Sequence, residues 1–213
     1  MVSDQTLEET QTGKRRATLR TALVAAAKRA ITRDGLAGLR ARALAEEAGC
    51  AVGAIYNVVE DLDELVLLVN AKTLAALQLA LQAGDASGEG KGLDAAIARL
   101  VQMALAYLDF AAAHTPLWRA LFDHRMPKGR PVPDWYRKEQ QRLFDDVESL
   151  LTELQARESR VRRALLARSL FSAVHGLVAL GLEEKLQPLP PQVLREQIRF
   201  VVTAIGRGMA NDR

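Results

Sequence analysis

AEEAGCAVGAIYNVV, residues 45–59, carries Gly49 and Gly53 four residues apart in a chain otherwise dense with helix formers. A glycine costs about 1 kcal/mol relative to alanine in a helix interior, so the pair needs a physical reason. Two short helices meeting at Gly49 supply one. Neither is long enough to stand alone, so they must share a small core, and Leu44, Ala45, Ala48, Cys50, Ile55 and Val58 fall at the inward positions. Ala45 allows close approach, Gly49 takes the positive φ that ends the first helix, and Cys50 packs as a small hydrophobe. An ordinary helical hairpin shares this spacing. A DNA-reading helix-turn-helix also wants a long preceding helix and basic surroundings, and the chain offers both.

The basic surroundings are uneven in a telling way. Between Lys14 and Asn57 stand nine basic side chains against three acidic ones. The whole chain carries only +3, so the remainder is net acidic. A basic head on an acidic body is the footprint of a nucleic-acid-binding module attached to something that binds another partner.

Composition narrows the class further. Among 213 residues, 49% are apolar and only 5% aromatic, which favours long amphipathic helices over sheet. No apolar run is expected to span a membrane, and MVSDQTLEETQTGKRR is too polar for a signal peptide, so the cytoplasm is the expected location. One cysteine excludes an internal disulfide and argues against a thiolate metal site. Three scattered histidines have no i, i+4 pairing, although Asp123 and His124 are adjacent, so neither a metal nor another cofactor is expected.

The expected architecture is all-α with roughly nine helices. Residues 1–13 read as a mobile, disordered arm, 14–60 as the helix-turn-helix head, and 61–213 as a helical ligand-binding and dimerisation body. In the head, a first helix over about 14–34 ends at Gly35, and short helices cover about 40–47 and 51–58. A long helix starts near Asp61, which is placed to cap it, and reaches about Gln82. GDASGEGKG, 84–92, reads as the strongest boundary. Further helices follow over about 93–114, from Thr115-Pro116, and, after the proline-stiffened RMPKGRPVP at 125–133, over about 134–156, 159–186 and 191–209. QPLPP separates the last two.

The run LRARALAEEAGCAVGAIYNVVEDLDEL, 39–65, resembles the DNA-binding domain of the TetR family of transcriptional regulators. That family places alanine and glycine in the turn and Gly-x-x-Tyr in the recognition helix, here Ala45, Gly49, Gly53 and Tyr56. The resemblance covers about residues 15–70. PLWRALFDHRM, 116–126, and AVHGLVAL, 173–180, resemble the C-terminal domain of a subgroup marked by a tryptophan and a His-Gly pair. The chain departs from the family pattern at Ala51, Val59 and Leu62, where serine or threonine, an aromatic residue and a phosphate-contacting lysine are usual. These departures remove phosphate contacts, leaving Lys14, Arg15, Arg16, Arg40 and Arg42 to supply them.

A recognition helix offers its N-terminal half to base edges in the major groove. The outward residues are Ala51, Val52, Ala54 and Asn57, of which only Asn57 pairs with a base edge in two-point fashion. The others offer methyl groups to thymine. Gly53 lets the backbone approach DNA, and Tyr56 either gives its hydroxyl to a phosphate or packs on the first helix.

For the body, the resemblance implies a pocket for a small-molecule effector and a homodimer. Tyr107, Phe110, Trp118, Phe122, Trp135, Tyr136, Phe144 and Phe171, with His114, His124 and His175 as the polar minority, are either its lining or plain core. His175 either orients a ligand or satisfies a buried carbonyl. The last two helices are apolar on broad faces, which suits a four-helix dimer interface closed by Ala173, Gly176 and Gly181, or a monomer core.

The expected function is a ligand-responsive repressor that binds a palindromic double-stranded DNA operator as a homodimer. No nucleophile, base or phosphate-loop motif points to an enzyme. A DNA-architectural or protein-interaction protein without a ligand is the alternative.

Overall fold

The computed structural model describes residues 2–86, 92–155, 157–183 and 189–211. Nine α-helices form among them and no strand: α1 (Val2–Asp34), α2 (Ala41–Glu47), α3 (Val52–Ile55), α4 (Leu62–Ala86), α5 (Leu93–Ala113), α6 (Thr115–Asp123), α7 (Asp134–Leu154), α8 (Arg160–Gly181) and α9 (Pro191–Asn211). A 3-10 turn, Gly35–Gly38, follows α1. The chain forms two compact units, one of Met1–Thr73 with His114–Tyr136 and the other of Leu74–Ala113 with Arg137–Arg213. The first is called the head and the second the body.

In the head, Leu23, Ala26, Ala27, Ala30 and Ile31 of α1 bury one stripe against Leu44, Ala45, Ile55, Val59, Leu65 and Val69. Helix α6 adds Leu117 and Ala120 to the same core and packs on α1 and the 3-10 turn. Although α6 follows the long α5 in sequence, its apolar residues complete the head. A sequence boundary between head and body near residue 60 does not describe this discontinuous unit.

Two expectations about helix ends are corrected. The expected arm over 1–13 is instead the start of α1 from Val2, Met1 lying outside the described residues. The segment contains no proline and its one glycine is Gly13, so nothing interrupts the hydrogen-bond ladder. Likewise α4 does not stop at Gly84 but runs through it to Ala86. A Cβ at Gly84 would lie 2.9 Å from the Ala106 Cβ and 3.0 Å from the Gln102 carbonyl oxygen. This glycine exists for close crossing of α4 and α5 and is not a break. The rest of the expected boundary, 87–91, and the first part of QPLPP lie outside the described residues.

In the body, α9 packs on α5 and α8. Leu194, Ile198 and Val202 are buried at helical spacing. A Cβ at Gly181 would come within 2.6 Å of the Leu194 side chain, so Gly181 lets α8 and α9 cross closely within one chain, while Gly176 meets open space. Arg99 bridges Asp85, at 2.7 Å, and Glu153, at 2.9 Å, tying α4, α5 and α7 together.

The expectation that no segment has the length and apolarity of a membrane span is also corrected: α4, α5 and α8 meet both criteria. Alanine and valine between the leucines raise their apolarity without forming a conspicuous leucine run. In α4 and α5 about half of that stretch is buried in the protein; in α8 only 22% is.

Candidate nucleic-acid interface and effector cavity

The turn after α2 is a Schellman motif. Gly49 has φ +68, the Cys50 amide donates to the Ala45 carbonyl at 2.9 Å, and the Gly49 amide to that of Glu46 at 3.2 Å. These are the 6→1 and 5→2 bonds that close a helix C-terminus on a left-handed residue. Cys50 packs partly buried against the head core.

Helix α3 is shorter than the expected 51–58. Beyond Ile55 the ladder gives way to turns, in which the amides of Val58 and Val59 both donate to the Ile55 carbonyl at 3.0 Å. Ala51 occupies the N-cap without a side-chain hydrogen bond, because it has no oxygen to accept one. Ile55 and Val59 face inward. Val59 is therefore a core residue and Leu62 packs partly buried beside it.

The outward face holds Ala51, Val52, Gly53, Tyr56 and Asn57, all exposed, with Ala54 half-buried. Tyr56 is 51% exposed, which leaves about half of its surface open to solvent. A Cβ at Gly53 would meet nothing within 4 Å, and its φ is not left-handed. Nothing among the described residues requires glycine there.

The expected basic contacts divide into two groups. Lys14, Arg15, Arg40 and Arg42 are exposed, and Lys14 and Arg15 line a shallow groove that reaches Ala48 at the turn. Arg16 is engaged within the chain, donating from Nη2 to the Asn57 carbonyl at 2.5 Å. Arg20 pairs with Glu64 at 2.8 Å, Arg29 with Glu47, and Arg33 with Asp34 at 2.8 Å. Sequence reasoning counts these charges as a field and misses that the structure neutralises several locally.

The start of α4 is held from the loop after α6. Asp61 accepts from the Glu64 amide at 2.8 Å and pairs with Arg130, which also reaches Glu60 at 2.8 Å. Burial alone would raise the Asp61 pKa, but the Glu64 amide and Arg130 outweigh it and hold the carboxyl below its usual value. His124 Nε2 lies 2.9 Å from Asp63 Oδ1. Asn70 is buried and donates to the Ala120 carbonyl at 3.0 Å, while its Oδ1 has no donor in bonding geometry among the described residues. Burial pushes the nearby Tyr136 phenol up to about 12, with Asn70 pulling it the other way.

The aromatic residues expected to line one pocket fall into both units. Trp118, Phe122, His124 and Trp135 belong to the head, where Trp118 is buried edge-on to Phe122 and Trp135 is exposed edge-on to Tyr136. Tyr107, Phe110, Phe144, Phe171 and His175 belong to the body. There Phe171 stacks on His175 at 5.6 Å and meets Tyr107 and Phe144 edge-on. The Tyr107 hydroxyl lies 2.8 Å from His175 Nδ1, and burial lowers the His175 pKa. Tyr107 and Phe171 line a small body cavity with Leu81, Met103, Val147 and Val202. The aliphatic members carry no sequence signal, since cavity lining and core have the same periodicity.

Outward faces of α8 and α9 leave Val161, Leu165, Leu180, Val193 and Phe200 exposed. Phe200 is 69% exposed, unusual for so large an apolar side chain.

None of the curated proteins matches the chain. Among solved structures it resembles a protein of unknown function from Rhodococcus sp. RHA1, at 26% identity and TM-score 0.72 over 90% of this chain and 95% of that one. It also resembles a TetR-family transcriptional regulator from Streptomyces coelicolor, at 18% identity and TM-score 0.66 over 92% and 83%. The fold is shared too with the TetR family transcriptional regulator PfmR from Thermus thermophilus, at 16% identity and TM-score 0.57 over 87% and 97%. Residues 100–205 match the family model described as tetracyclin repressor-like, C-terminal domain, a description that does not carry the Trp/His-Gly subgroup. With that C-terminal match behind a helix-turn-helix head, the chain belongs to the TetR family of transcriptional regulators.

Proposed function

We propose that the chain is a cytoplasmic repressor that binds a palindromic DNA operator as a homodimer and releases it when a small molecule occupies the body. The observation that carries this reading is the outward face of α3. Gly53 sits in open space at a position where the fold does not need glycine, flanked by exposed Ala51, Val52, Tyr56 and Asn57. A helix that keeps a destabilising residue on its solvent face is shaped for a surface outside the chain. In this reading Lys14, Arg15, Arg40, Arg42 and Tyr56 contact phosphates, which set position, and Asn57 with the methyl groups of Ala51, Val52 and Ala54 meets base edges. Arg16 acts through Asn57 by fixing the end of the recognition segment.

The exposed apolar faces of α8 and α9 support pairing of two copies, which presents two recognition helices to half-sites about one helical turn apart. Release requires the effector to bind one head spacing better than the other, since a ligand of equal affinity shifts nothing. Helix α4 contributes residues to both units and is the element through which occupancy biases the head.

Fluorescence anisotropy on a labelled duplex from upstream of the protein's own gene tests the reading. If the dimer neutralises about six phosphates, raising salt from about 50 to about 200 mM weakens binding roughly a thousandfold. Affinity indifferent to salt would overturn phosphate-led binding.

A further inference from the structure

The body cavity is lined almost wholly by apolar side chains. Helices α4, α5, α7, α8 and α9 all contribute to its wall, and every lining residue is apolar apart from the Tyr107 hydroxyl. No lysine, arginine, aspartate or glutamate lines it. His175 lies 2.8 Å from that hydroxyl, and burial disfavours the charged form of its imidazole. Arg168, on the aromatic side, lies over the Phe144 ring at 5.7 Å and is exposed. A charged headgroup entering here would give up its water with no counter-charge to replace it.

Size adds a second restriction. The room between the walls is about 40 Å³ and is partly open to solvent, whereas a cavity that buries a rigid benzene ring measures roughly 150 Å³. A ligand must therefore part the walls. Met103 of the lining changes rotamer readily, so a flexible chain enters a segment at a time, while a ring needs its whole volume at once.

We propose that this cavity takes the hydrocarbon chain of an uncharged, single-headed molecule, such as an aliphatic alcohol, whose polar head hydrogen-bonds at Tyr107. The assignment builds on the regulator reading above by naming the effector's chemical class. Each methylene buried in the wall raises affinity by about fourfold.

Isothermal titration of the purified full chain with 1-hexanol, 1-heptanol, 1-octanol, octanoate, octylammonium and 4-ethylphenol tests it. The expected result is affinity rising about fourfold per methylene along the alcohols, with octanoate, octylammonium and 4-ethylphenol each at least tenfold weaker than octanol. Tyr107→Phe, checked for retained helicity by circular dichroism, should weaken octanol several-fold and leave octane uptake unchanged. Charged or aromatic probes that bind as well as octanol, no alcohol binding, or a Tyr107→Phe protein with unaltered octanol affinity would overturn the assignment. The titration contains no DNA, so its failure removes the ligand class alone. Failure of the protein to retain any duplex removes the regulator reading alone.

Discussion

Arg16 of α1 donates to the backbone carbonyl of Asn57 at 2.5 Å, binding the long first helix to the end of the recognition segment forty-one residues later. The bond matters because α3 is a single turn, too short to hold its own end. It also separates two roles that look alike in sequence, since Arg15 next to it is exposed and lines the groove beside the turn.

Replacing the two arginines should therefore have different consequences. Arg15→Ala is expected to weaken duplex binding and to lower the salt slope by about 1 for each phosphate left without its cation. Arg16→Ala should weaken binding with the slope unchanged and speed amide exchange at Val58 and Val59. Equal reduction of the slope in both variants would make Arg16 a phosphate ligand.

Gly49 and Gly53 should respond oppositely to alanine. At Gly53 a methyl group meets nothing within 4 Å, so Gly53→Ala is expected to stabilise the protein by about 0.5–1 kcal/mol in urea unfolding while reducing duplex affinity tenfold or more. At Gly49, with φ +68, Gly49→Ala strains the Schellman turn and should destabilise by about 1 kcal/mol or more.

Tyr136 makes a signed prediction in alkali. Its phenol is raised from 10.0 to about 12 in the folded head, so the unfolded chain loses this proton first. The stabilisation is complete below pH 10.0 and is lost as pH rises through about 12. Tyr136→Phe should flatten that part of the stability profile, and an unchanged alkaline slope would show that the phenol does not contribute.

Asp61 gives the converse case. Its folded pKa lies below the ordinary 3.8, so its stabilisation is present above that value and disappears as pH falls through the folded one. Asp61→Ala, which removes the cap on the Glu64 amide, is expected to lose about 1 kcal/mol at neutral pH. Asp61→Asn keeps an accepting oxygen and should lose less. In acid, thermal melts of wild type and Asp61→Ala should converge.

Phe200 tests the dimer. It is exposed on α9 while Ile198 and Val202 are buried, so Phe200→Glu leaves the monomer core intact. Sedimentation should show a dimer for the native chain and a monomer with unchanged helicity for the variant.

Much of the head is legible in the sequence because its devices are local. A turn glycine, an apolar i, i+3, i+4 stripe and a capping aspartate are each specified within a few residues, and Gly49, Ile55 and Asp61 stand where that reasoning places them. Gly84 misleads because a glycine that ends a helix and one that lets two helices touch are the same letter; the Ala106 methyl that distinguishes them is distant in sequence. The aromatic residues are misgrouped for a related reason. Trp118 and Tyr107 are close in sequence, but α6 completes the head core, which no local pattern reveals. Counting charges overstates the basic surface, since nothing in the sequence marks the carboxylates that pair with Arg20 and Arg29 as their partners.

In the proposed dimer, two copies of α3 read a symmetric DNA site. Selection of random duplexes by the purified full chain tests that pairing. Enrichment of a palindrome whose half-sites lie about one helical turn, roughly 10 base pairs, apart is expected, and an enriched pool with no symmetric sequence, or no enrichment, would show that α3 does not read DNA as a symmetric pair.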